Sequence, residues 1–276
     1  MDTFLRDVGY ALRALTRNPA FAAAAVLTLA LGIGANSAIF SVVYGILLRP
    51  LPYPNAERIH VVWNNNTREG IERDVTSFPN FTDWRTRGDA FAALAGFTRS
   101  GFASLTDGGE PEQLRVTSVT GDFLRVFGVS PEIGRGFTAE EMLPGSDRAA
   151  LLSAGLWQRR FGGDRNIVGR TITLNGQPYV VAGVMPASFA YPVDSELWLP
   201  LAPTGPGAES RGALWLSVIG RLRPDVQPAV AQQQMDAVAA QLAEEYPGPN
   251  TGAEILLEPL QETIVGDVRT PLLVLL

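Results

Sequence analysis

Residues 18–54 read NPAFAAAAVLTLALGIGANSAIFSVVYGILLRPLPYP, and from 18 to 48 no side chain is charged. As a helix that run would extend about 46 Å, against a bilayer hydrocarbon core of about 30 Å. Thirteen Leu, Ile, Val or Phe side chains lie within 20–48. Each contributes roughly −0.3 to −0.6 kcal/mol near the bilayer centre, which outweighs one Asn and a few hydroxyls. The spacing predicts a transmembrane helix over 18–49, stopped by Pro50, Pro52 and Pro54, which remove backbone donors and fix φ. A cleaved signal peptide is the competing reading, because Arg residues precede the run and 35–38 is ANSA. Signal cores run to about 15 residues, whereas this one continues to Leu48, so length favours an uncleaved span.

Within the span Gly34, Ala38, Ser41 and Gly45 recur at spacings of four, three and four. Such a stripe of small residues lets another helix approach closely, since lipid tails give apolar side chains no drive to associate. Asn36 lies near the bilayer centre, where an unpaired amide is costly, so it is expected beside the same interface. Before the span, 1–17 places Phe4, Leu5, Val8, Ala11, Leu12 and Leu15 at helical spacing among three arginines. That pattern fits an amphipathic helix at the membrane interface, with an ordinary surface helix as the alternative. Arg6, Arg13 and Arg17 precede the span and Arg49 and Arg58 follow it, a small excess that orients the N-terminus towards the cytoplasm.

After residue 50 the pattern turns to mixed α and β. Strands are expected at 59–63, 95–105, 113–119 and 149–153, and helices at 80–87 and around 156–161, the latter stopped by Gly162-Gly163. Segments 170–174 and 177–184 flank Asn175-Gly176, the strongest two-residue signal for a hairpin. Thr138-Ala139-Glu140-Glu141 has capping-box spacing. The Pro- and Gly-rich stretch 200–212 suggests a subdomain boundary, followed by a strand at 215–222. Asp225 is placed to cap a helix whose apolar stripe is Ala231, Met235, Val238, Leu242 and Tyr246, stopped by Pro247-Gly248. A last strand is expected at 254–260, and 270–276 is an apolar run that resembles the opening of a second transmembrane helix.

Composition excludes several functions. None of the 22 basic residues is Lys, so the chain has no Walker A motif, whose Lys must reach the nucleotide phosphates. There is no Cys, which removes disulfides, thiolate nucleophiles and Cys-based zinc sites. Over 50–267, 17 arginines face 26 acidic residues, a balance of −9 that would repel a phosphate backbone. His60 is the single His and sits in a predicted strand, so neither a multi-His metal site nor a Ser-His-Asp set can be assembled. The run 134–139 formally matches a dinucleotide fingerprint but follows Pro131 rather than a strand. Glu140 with Glu141, and Glu244 with Glu245, are adjacent on helices and diverge. Trp157, Trp198 and Trp215 could line a stacking cleft but fit core positions better. The chain is therefore read as non-enzymatic, with no cofactor and no metal.

A family resemblance rests on four stretches. TLALGIGANSAIFSVVYGILLRPLPYP at 28–54 resembles the first transmembrane helix and exit segment of MacB/FtsX-like ABC-transporter permeases, especially the duplicated orphan permeases first noted in acidobacteria. SFPNFTDWRTRGDAFAALAGF at 77–97, LLSAGLWQRRFGGDRNIVGRTITLNGQPYVVAGVMP at 151–186 and VIGRLRPDVQPAVAQQQMDAVAAQLAEEYP at 218–247 reinforce it. The resemblance implies an α+β chain: an N-terminal transmembrane helix followed by a two-lobed MacB-like periplasmic domain, a porter-like α/β half with an inserted second lobe. On that basis 1–17 is the interfacial helix and 18–49 the first transmembrane helix. Segments 50–120 and 211–265 form the porter-like lobe, 121–210 the inserted lobe, and 266–276 the start of a second transmembrane helix. The implied function is a permease subunit of the cell inner membrane. Conformational change driven by a cytoplasmic ATPase passes through such a subunit to its periplasmic domain. Implied partners are membrane lipids, other permease helices or a second permease unit, and a separate ATPase subunit, with no nucleic acid. The alternative is a membrane-tethered extracytoplasmic binding or assembly module without transport.

Overall fold

The computed structural model describes residues 19–43, 50–98, 101–107 and 109–266. The chain forms two compact units, Met1–Pro50 with Ile264–Leu276, and Leu51–Thr263. The first contains helix α1 (Pro19–Val43), whose 25 residues give a length of about 38 Å. Its described side chains are exposed apart from the half-buried Ala22 and Ala25, the exposed set including Phe21, Leu27, Leu31 and Ile33, and its length and composition suffice to cross a membrane. The interfacial helix expected at 1–17, the end of the expected span at 44–49 and the apolar run at 270–276 lie outside the described residues.

In the second unit β1 (Ile59–Asn66) and β2 (Ile71–Asp74) precede helix α2 (Phe78–Arg87), then β3 (Phe91–Phe97), β4 (Gly101–Leu105) and β5 (Glu112–Val119). Helix α3 (Phe123–Phe127), β6 (Ile133–Gly134), β7 (Ala149–Leu152), α4 (Ala154–Phe161), β8 (Thr171–Leu174), β9 (Gln177–Val184) and β10 (Leu197–Pro200) follow. Next come α5 (Pro206–Glu209), β11 (Ser217–Leu222), α6 (Pro228–Glu245), α7 (Pro247–Asn250) and β12 (Glu254–Pro259).

The strands pair in the order β10-β7-β9-β8-β4-β5-β3-β11-β1-β12, with β2 on β1 and β6 on β9. A further parallel pairing, Leu197 to Pro200 on Val116 to Val119, joins β10 back to β5 and closes six strands into a ring. Alternation along each strand then decides what the ring holds. Ala103, Leu105, Leu114, Val116, Ala150, Leu152, Ile172, Leu174 and Leu197 form its core, sealed by Leu156 and Trp157 of α4. The ring draws β4 and β5 from the 50–120 segment as well as β7 to β10 from 121–210.

The remaining strands form an antiparallel sheet with two apolar faces. One face packs Val62, Leu94, Val218 and Ile255 against Phe81 and Trp84 of α2 and Met235, Val238 and Leu242 of α6. The other brings Ile59, Val61, Trp63, Ala95, Phe97 and Ile219 against α3 and against the outward side chains Leu151, Ala182 and Trp198 of the ring. This second face is the central core of the unit.

Several local expectations change in detail. The strand expected over 95–105 is two strands, β3 and β4. The capping box forms, Thr138 N–H donating to Glu141 Oε2 at 2.8 Å and Glu141 N–H to Thr138 Oγ1 at 3.3 Å. It encloses only a single 3₁₀ turn over Glu140–Met142, because Pro144 forces Leu143 into an extended conformation. Asp225 does not cap α6: Pro228 takes the first helical turn, where a missing N–H costs nothing, Gln227 is the cap residue, and Asp225 faces Arg223 at 3.7 Å. Tyr246 leaves the buried stripe and lies under the Arg211 guanidinium, 3.7 Å from its ring centroid. The strand expected to start at Trp215 starts at Ser217, because Trp215 stacks on Phe78 and its Nε1 donates to the Gly207 carbonyl.

Candidate functional site

Four of the five residues proposed for helix packing fall on α1. Gly34, Asn36, Ala38 and Ser41 are all exposed, and Gly45 lies outside the described residues. Nothing lies within 4 Å of where a Cβ on Gly34 would stand. The Ser41 hydroxyl donates to the Ser37 carbonyl at 2.7 Å and Thr28 to Ala24 at 2.9 Å, so both satisfy themselves within the helix. Because α1 is continuous, at about 100° per residue Gly34, Ala38 and Ser41 share one face and Asn36 falls on the opposite one. The small stripe and Asn36, expected near one interface, therefore lie on opposite faces of the helix.

In the second unit both chain ends run into the central core. Tyr53 is half-buried and meets Phe127 at 4.9 Å and Phe189 at 6.1 Å, and Leu51 packs beside it. Burial raises the Tyr53 pKa, opposed by a backbone hydrogen bond to Ala190. At the other end Leu260, immediately after β12, is fully buried in the same cluster. Two polar clamps flank these ends. Glu258 is nearly buried and accepts from Trp63 Nε1 at 2.9 Å, Arg73 Nη2 at 2.7 Å and Thr263 Oγ1 at 2.9 Å. Arg221 donates from Nε to the Val126 carbonyl at 2.6 Å and from Nη1 to the Asn55 carbonyl at 3.3 Å. Burial, and then the charge of Arg58, push its pKa below the usual arginine range. The chain leaving Pro54 is therefore fastened to α3 and to β11.

The residues weighed for catalysis or ligand binding sit among the contacts that build the fold. His60 is buried on β1, opposite Gly220 and Pro259, and burial lowers its pKa, against a weaker rise from a backbone hydrogen bond to Arg58. Gly134 has φ 81° within β6, and a Cβ there would stand 2.3 Å from the Ala182 carbonyl oxygen, so this glycine serves strand contact and not phosphate approach. Glu141 binds Arg135 through two 2.8 Å bonds, and Glu245 binds Arg87. Trp157 and Trp198 are buried, their indole N–H groups donating to the Asp164 and Tyr191 carbonyls. Among the described residues no group of three His, Cys, Asp or Glu side chains is placed to hold a metal.

Sequence reasoning missed the clefts, which combine distant segments and leave no periodic signal. One of about 670 Å³ lies beside the start of α4, lined by Arg115, Ser153, Phe189, Asp194 and Glu196. Its charges pair with each other and with Arg159: Arg115 with Asp194 at 3.0 Å, Arg159 with Glu196 at 2.6 Å. A smaller one of about 320 Å³ opens on the central core.

Residues 22–238 match the model of the MacB-like periplasmic core domain. A domain of a permease protein from Porphyromonas gingivalis is similar in fold, with TM-score 0.58 and 18% identity over 79% of this chain and 98% of that one. The periplasmic region of MacB from Actinobacillus actinomycetemcomitans aligns with TM-score 0.56 and 16% identity, over 84% of this chain and 97% of that one. The extracellular domain of the noncanonic ABC-type transporter YknZ from Gram-positive bacteria aligns with TM-score 0.52 and 15% identity, over 72% and 99%. Comparison with curated proteins finds no match. The matched segment covers most of the chain and the same fold recurs in these neighbours, so the protein belongs to the MacB-like periplasmic core domain family.

Proposed function

We propose that this chain is a non-enzymatic permease subunit of a MacB/FtsX-like ABC transporter. It transmits conformational change between the membrane and an extracytoplasmic domain, in the service of export or another envelope process. In this reading α1 spans the cell inner membrane with its N-terminus in the cytoplasm. Its partners there are lipids, other permease helices or a second permease unit, and a separate cytoplasmic ATPase. The observation that carries the proposal is that Leu51 and Tyr53 at one end of the unit, and Leu260 at the other, enter the same central core. Interiors packed like crystals transmit strain, so a pull at either end acts on the sheet and the ring together.

The alternative, a tethered binding or assembly module, needs the helix only to hold the domain at the membrane. Inserting six Gly/Ser residues between Arg49 and Leu51 separates the two, since such a linker is a flexible coil that keeps attachment and transmits little force. Mechanical transmission requires that the insertion abolish the envelope function of the full protein, with expression, membrane insertion and thermal unfolding of the domain unchanged. Full function with the linker in place would establish the tethered module instead.

A further inference from the structure

The cleft of about 320 Å³ on the central core is lined by Val61, Trp63, Phe97, Tyr191, Pro192, Ser217 and Thr263. Its floor is the sheet: Ser217 stands opposite Phe97 in the β11–β3 pairing, and Val61 opposite Ile219 in the β1–β11 pairing. Paired residues share a face, so Ser217 points to the same side as Phe97 and Ile219. No lining side chain is charged. At the rim Trp63 Nε1 and Thr263 Oγ1 both donate to Glu258. Ser217 is 4% exposed, and its Oγ has no hydrogen-bond partner among the described residues. A buried hydroxyl left unmatched is unfavourable, and the cleft is of the size that takes a small ligand.

We propose that this cleft is a binding site for a small uncharged molecule with an aromatic or aliphatic body and one hydroxyl or carbonyl group. The body lies between Trp63, Phe97 and Tyr191, and the polar group completes the hydrogen bonding of Ser217. A charged ligand is disfavoured, because the lining offers no counter-charge and desolvating an ion there is costly. The proposal is independent of force transmission, since a ligand could occupy the cleft in a tethered module as well.

The test uses the full chain in lipid nanodiscs with benzyl alcohol as the probe. The chain has no Cys, so Thr263→Cys places a single thiol at the rim. The rate of its modification by methyl methanethiosulfonate then reports occupancy. Benzyl alcohol is expected to slow modification saturably, and adding Ser217→Ala to raise the half-protecting concentration about tenfold, the loss of one hydrogen bond. Using one probe against both proteins cancels its partition into lipid. If Thr263→Cys lowers thermal stability, ¹⁹F line broadening of 4-(trifluoromethyl)benzyl alcohol by the unaltered chain and by Ser217→Ala supplies the same comparison. Absence of protection or broadening at any concentration overturns the proposal, as does an equal effect in the Ser217→Ala protein.

Discussion

His60 is 1% exposed and its Nδ1 has no hydrogen-bond partner among the described residues. Burial disfavours the imidazolium and lowers the pKa. The folded protein thus holds this imidazole neutral at pH values where the unfolded chain, titrating near about 6.5, takes up a proton. Where the unfolded state binds more protons, stability rises with pH. The His60 contribution is therefore fully present above about 6.5 and lost as pH falls towards its lowered folded value. Glu141, held below the usual carboxylate range by Arg135, titrates in a more acidic window. Thermal unfolding between pH 7.5 and 5.5 should show a falling melting temperature in the natural chain and a visibly flatter profile in His60→Leu. Parallel profiles would show that His60 is not the source. The sequence placed His60 in a strand, but its neighbours across the sheet, which bury it, come from residues about 160 and 200 positions away.

At the level of elements, signals carried by a few consecutive residues were legible and those carried by distant pairings were not. Asn175 and Gly176 adopt φ 52° and 75° between β8 and β9, as a two-residue hairpin of the primed type requires. Gly162, expected to stop the helix around 156–161, ends α4 in the left-handed conformation, whereas Ser153, expected as the last residue of a strand, caps that helix by accepting from Leu156 N–H at 3.1 Å. The α6 stripe was legible for the same reason, except at Tyr246, where the helix ends. By contrast nothing in residues 197–200 announces that they will lie parallel to β5 and close a ring. Pairing across about 80 positions is decided by which apolar faces fit, not by local periodicity. The clefts were hidden for that reason too. Gly134 tests how tightly β6 is held on β9: in Gly134→Ala a Cβ would meet the Ala182 carbonyl at 2.3 Å and a backbone with φ 81°. Both the clash and the left-handed strain oppose it. The variant should lose more than about 3 kcal/mol in denaturant unfolding, while Gly162→Ala, equally left-handed but with nothing within 4 Å, should lose only about 1 kcal/mol. Equal losses would assign the effect to conformation alone.

For the molecule as a whole, the question is whether α1 is a plain anchor or part of a bundle, and the helix offers two faces with which to ask it. Gly34, Ala38 and Ser41 mark a narrow face with little side-chain bulk, while Asn36 projects from the other side. In lipid a helix gains from a neighbour only through close packing or polar contact, so each face makes a separable demand. Replacing Ala38 and Ser41 by Ile in the full protein fills the first face and leaves the hydropathy of the span ample for insertion. Asn36→Leu removes the polar demand of the second and adds no bulk to the first. Cross-linking between engineered Cys pairs on this helix and its neighbours then reads association directly, against a background free of native thiols. If the permease reading holds, the double Ile variant should cut cross-linking from the small face roughly tenfold, about 1.4 kcal/mol of lost packing. Asn36→Leu should act on pairs placed along the opposite face and spare the first. Unchanged cross-linking in both variants, with envelope function intact, would leave α1 as a helix that faces lipid on every side. The force proposed to enter the domain through Leu51 and Tyr53 would then have no membrane source.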